Sequence, residues 1–103
     1  MKQYLNAEQT AKLIKLGFEK PRLLYFGNKT IGDYAYTIGE LIEMLPRVVE
    51  DEDSEYATIS IYHDTMSWVI DYQSPERCFY ATSAIELIDA LYEMVVKLKE
   101  EEI

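Results

Sequence analysis

The sequence predicts an α+β fold: three helices packed on a small antiparallel sheet, either a hairpin or a three-stranded meander. Three observations carry this expectation. Asn6-Ala7-Glu8-Gln9, Thr37-Ile38-Gly39-Glu40 and Ser83-Ala84-Ile85-Glu86 all have capping-box form. In that form a short polar side chain accepts from an orphan backbone N–H, and Glu or Gln three residues on reaches back. Each box leads into apolar residues at helical spacing. Between the second and third boxes, two segments alternate apolar and polar residues with the period of two that marks a half-buried strand.

The first helix is expected over Ala7 to Leu16. Ala7, Ala11, Ile14 and Phe18 form its stripe, with Leu13 beside them, and Glu8 and Lys12 pair on the outer face. Gly17 follows as a C′ residue able to take the left-handed conformation, and Pro21 forbids quick resumption. Between Lys20 and Tyr36, the runs Arg22 to Phe26 and Tyr34 to Tyr36 read as extended, with a turn at Gly27-Asn28. The second helix is expected over Ile38 to Leu45, stopped by Pro46, with Ile38, Leu41, Ile42 and Leu45 facing the core. Gly39 in its first turn suggests close approach of a neighbouring element.

Glu50-Asp51-Glu52-Asp53-Ser54-Glu55 carries five negative charges in six residues and reads as a solvated loop. The alternating segments follow. Pairing Ile61 with Trp68, Ile59 with Ile70 and Ala57 with Tyr72 collects the larger apolar residues on one face. The hairpin then turns at Asp64-Thr65, or over a longer loop from His63 to Met66. Arg77 to Ala81 offers a third strand. The last helix is expected over Ala84 to Glu100 and is apolar around much of its circumference, which calls for cover on more than one side by a second layer or a dimer partner.

Length and composition bound the function. A chain of 103 residues reads as one domain, 1–103, and a core of that size needs no staples. No apolar run approaches the ~20 residues needed to span a bilayer, and the N-terminal residues lack the apolar stretch of a signal peptide. One cysteine makes no internal disulfide, so the expected compartment is reducing and cytoplasmic. The net charge is −9, from 19 acidic and 10 basic residues, and such a field repels a polyanion. Lys12, Lys15, Lys20, Arg22 and Lys29 form the one loose basic group.

No catalytic constellation emerges. His63-Asp64 is the sole histidine beside a carboxylate, but strand neighbours point to opposite faces, so the pair is a poor general-base dyad. Cys78, between Arg77 and Phe79, reads as a small buried hydrophobe rather than a nucleophile. One His and one Cys exclude a structural zinc site. Counted from Asp51, the acidic run places Tyr56 and Tyr62 where a calcium loop needs Gly and Glu. No glycine loop cradles phosphate.

The nine tyrosines, against three Phe and one Trp, are the feature least explained by core-building alone. Any single one reads first as capping the core with its hydroxyl wet, but tyrosine is also enriched at interfaces. The expectation is a non-enzymatic, cofactor-free module that binds another protein, with no nucleic-acid or membrane partner. Glu50, Asp51, Glu52, Asp53 and Glu55 of the acidic loop and Tyr34, Tyr36 and Tyr62 of a sheet face are its expected contacts. The alternatives are a subunit that self-associates through the final helix and a small enzyme using His63 or carboxylates.

The segments 8–18, 37–46 and 86–92 resemble a group of short uncharacterised proteins from Bacteroidetes genomes, often encoded near phage or mobile-element genes. Those proteins share an opening EQ…KLIxLG helix, an (S/T)IGxLIExLP segment and a final LxDAxxxLI helix. The resemblance covers most of the chain, the middle more loosely, and its motifs are structural in kind. It implies a bacterial, cytoplasmic protein, and no catalytic residue is carried over from it.

Overall fold

Capping chemistry decides where the first two helices begin. The computed structural model describes residues 2–19, 24–25, 33–50 and 55–101, with the backbone alone at 24–25 and 33–34. Helix α1 spans Ala7–Lys15, and Asn6 and Gln9 form both arms of its capping box. It ends in a Schellman turn: Phe18 N–H reaches the Leu13 carbonyl and Gly17 N–H the Ile14 carbonyl, with Gly17 at φ +103°. Helix α2 spans Ile38–Met44, and Thr37 and Glu40 close the second box.

The third box does not form. Ser83 lies in a strand, paired with Val69, and the final helix starts later, at Leu87. Strand pairing on one side and burial of the helix on the other outweigh a local capping motif. The freed Glu86 carboxylate instead accepts from the backbone N–H of Lys2.

Of the runs expected at 22–26 and 34–36, Leu24–Tyr25 (β1) pairs antiparallel with Asp33–Tyr34 (β2). Arg22, Leu23 and Phe26 lie outside the described residues, and the second strand stops at Tyr34. The Gly27-Asn28 turn lies outside the described residues. The principal sheet has four strands where at most three were expected. They are β3 (Val48–Glu50), β4 (Tyr56–Asp64), β5 (Ser67–Gln73) and β6 (Cys78–Ala84), antiparallel in that order. The sequence reading missed β3, since Glu50 counted with the acidic run; Val48 and Glu50 in fact pair with Thr58 and Tyr56.

The β4–β5 hairpin has the expected faces in a different register. Ile61 pairs with Ile70 and Ile59 with Tyr72, two residues from the expected partners. Asp64 opposes Ser67, and its Oδ1 accepts from Thr65 N–H at 2.8 Å, so Thr65 and Met66 form the loop. A shift of two preserves the pleat, so Ala57, Ile59, Ile70 and Tyr72 still face inward. A register shift at Tyr72/Gln73 leaves Phe79 opposite no residue, and both Phe79 and Tyr80 pack against the core.

Helix α3 (Leu87–Glu101) lies against β5, β6 and α2. Ile88, Leu91, Met94, Val95 and Val96 are buried there, so its apolar circumference is covered within the chain itself. Tyr36 and Tyr72 complete the core: Tyr72 donates to the Pro46 carbonyl at 2.6 Å and Tyr36 to the Glu19 carbonyl. On α1 the buried residues are Thr10 and Leu13, while Ala7, Ala11 and Ile14 are exposed. The expected stripe is therefore displaced. Lys2 Nζ and Gln9 Nε2 both donate to Asp89 Oδ1, at 2.7 and 3.0 Å, and hold the helix by its polar side.

Candidate functional site

An antiparallel sheet with helices on one side leaves its other side to be explained. Alternation along the strands sends Val48, Tyr56, Thr58, Ser60, Tyr62, Val69, Gln73, Cys78, Ala81 and Ser83 to the outer face. All are exposed except half-buried Val69, and no described element crosses them. Val48, Tyr56 and Tyr62 are large apolar groups left 44–58% exposed.

At the centre of this open face lies an anomaly. Asp71, in the middle of β5, is only 2% exposed. Ser60 opposes it on β4 and Ala81 on β6. Its Oδ2 accepts from the Tyr62 hydroxyl at 3.2 Å and from Gln73 Nε2 at 2.8 Å. Its Oδ1 is buried and accepts from no described group. A buried acceptor left unpaired costs about 1–3 kcal/mol, and more when charged. The hydrogen bond to Asp71 also raises the Tyr62 hydroxyl above its ordinary pKa, assisted by desolvation and the negative charges of Asp71 and Asp64.

The expected contact residues separate on this frame. Tyr62 stands on the open face as anticipated. Tyr36 does not: it is 1% exposed and belongs to the hydrophobic core, with its carbonyl accepting from the Leu5 N–H just before α2. The Tyr34 side chain and Asp51, Glu52 and Asp53 lie outside the described residues. Glu50 is exposed in β3. Glu55 is half-buried and tied to the β5–β6 turn, where Ser74 Oγ donates to it and Arg77 Nε lies 3.5 Å away. Sequence reasoning missed Asp71. Its signal was a carboxylate at the centre of an otherwise apolar strand, beside the same-face tyrosine of the neighbouring strand.

The candidate catalytic groups do not converge. His63 packs edge-on to Trp68, centroids 5.0 Å apart, while Asp64 caps the turn. Cys78 is exposed, contrary to expectation, because the register puts it opposite Gln73 on the outer face. A groove of about 540 Å³ opens between α2, β3, β6 and α3, lined by Phe18, Met44, Val49, Phe79 and Leu98. None of His63, Asp64 and Cys78 lines it. Among the described residues, no group of three His, Cys, Asp or Glu side chains is placed to hold a metal, and no helix is long and apolar enough to cross a membrane.

No protein-family model, characterised protein or solved structure matches the chain. The functional reading therefore rests on the chemistry of the open face.

Proposed function

We propose that the protein is a non-enzymatic interaction module of a reducing compartment, which binds another protein through the open face of its four-stranded sheet. The observation that carries this reading is the bare face itself. Tyr56, Tyr62, Val48 and Val69 supply apolar area on a rigid scaffold, and short side chains between them let a partner approach the backbone. Charge favours a basic protein over nucleic acid and over a second copy. Two faces carrying Glu50 and Asp71 within chains of net charge −9 repel each other. Self-association through the final helix loses its motive, since that helix is covered by its own chain.

The test is affinity capture from lysate with wild-type protein and with a Tyr62→Ala/Ser83→Glu variant, each confirmed as folded. The expected result is a protein retained in stoichiometric amount by the wild type. Once purified, that protein should bind the variant at least tenfold more weakly, the loss typical of a central aromatic contact. Equal affinity for both would overturn the placement on this face.

A further inference from the structure

Resting on the reading that this face docks a protein, we propose that Asp71 is the receptor for an arginine side chain of a basic partner segment, whose guanidinium completes the unpaired Oδ1. The two carboxylate oxygens of Asp71 are served unequally. Oδ2 is served by Tyr62 and Gln73, and both donors reach it from residues on the same face. Among the described residues Oδ1 is left without a donor, at the centre of the sheet where Asp71 is directly opposed by Ser60 of β4 and Ala81 of β6. Those two side chains are short, but Asp71 is only 2% exposed, so neighbouring side chains of the face must shift to admit a guanidinium to Oδ1. Tyr62, bonded to the adjacent Oδ2, is 44% exposed, and rotation of so exposed a ring about χ1 is a fast, local motion that loosens the surroundings of the carboxylate.

Guanidinium fits these features better than ammonium does. It is planar and weakly hydrated, it donates in a fixed fork to a carboxylate, and it stacks on an aromatic ring, here that of Tyr62. Charge complementarity points the same way, because the chain carries 19 acidic against 10 basic residues and Glu50 shares the outer face. Tyr56, Val48 and Val69 then give the flanking residues of the segment an apolar surface.

The probes are two capped peptides, acetyl-Val-Arg-Val-amide and its citrulline counterpart, which has nearly the same shape and no charge. Each is titrated to roughly 10 mM into isotopically labelled protein while amide resonances are followed. The expected result is movement of Ser60, Tyr62, Asp71 and Ala81 signals, with the arginine peptide bound about tenfold or more tightly than the citrulline one. Asp71→Asn should erase that preference, and Tyr62→Phe, which removes only one donor to Oδ2, should keep it. Equal binding of both peptides to this face, or a preference that survives Asp71→Asn, would overturn the receptor role and leave the docking face standing. Peptide-induced shifts confined to other surfaces, or none at all, would overturn both. Should Asp71→Asn fail to fold, the Tyr62→Phe variant and the peptide pair still decide between these outcomes.

Discussion

Two glycines in this chain do opposite work. At Gly17, φ of +103° lies where L side chains are strained, and the Schellman turn depends on it. Gly17→Ala is expected to lower stability by about 1 kcal/mol, measured by denaturant unfolding. At Gly39 an added methyl would meet only Thr37 Oγ1, at 3.8 Å. No described element packs close there, contrary to the sequence expectation, so Gly39→Ala should stabilise the protein by about 0.5 kcal/mol through helix propensity. Asp89 gives a pH signature. Burial pushes its carboxyl up, but hydrogen bonds from Lys2 and Gln9 and the Lys2 charge prevail and hold it below its ordinary value. Its contribution is present above the unfolded pKa and is lost as pH falls through the folded one. Lys2→Met should therefore flatten the acid side of the stability profile, as followed by thermal melts across pH 2 to 6.

At the scale of elements, Tyr72 joins β5 to Pro46, two residues beyond the end of α2, through its bond to the Pro46 carbonyl. Tyr72→Phe should cost about 1 kcal/mol, since this partly buried hydrogen bond is lost. Burial pushes the Tyr72 hydroxyl up to about 12. A raised folded pKa means that the associated stability is intact below pH 10 and lost between about 10 and 12. Alkaline unfolding in that window, delayed in Tyr72→Phe, is the expected outcome. The elements differ in how legible they were. The boxes at Asn6 and Thr37 are local, and both formed. The box at Ser83 was equally good locally and lost to β6, whose pairing with β5 cannot be read from Ser83 itself. The faces of β4 and β5 were legible because alternation is insensitive to a shift of two. The register was not, because it depended on Asp64 capping the turn. Strand β3 was hidden by its acidic last residue, and the burial of Tyr36 by its resemblance to the surface tyrosines. Asp71 was visible as a residue but not as a site, since its unpaired oxygen exists only once Tyr62 and Gln73 have taken the other.

For the whole molecule, β5 is the organising strand. It is paired along its length on both sides and faces the core with Ile70 and Tyr72. Native-state amide exchange should find its slowest sites in β5 and on the buried side of α3, and faster exchange in three-residue β3. Slower exchange in β3 than in β5 would mean that the core is organised elsewhere.

Cys78 turns the architecture into an instrument. It is the one thiol in the chain, it is exposed, and it lies on the open face opposite Gln73, next to the side chain that reaches Asp71. A maleimide fluorophore or nitroxide attached there needs no engineered cysteine and reports directly on occupancy of the face. The same thiol should alkylate slowly when a partner covers the sheet and at its free rate when the partner lands anywhere else.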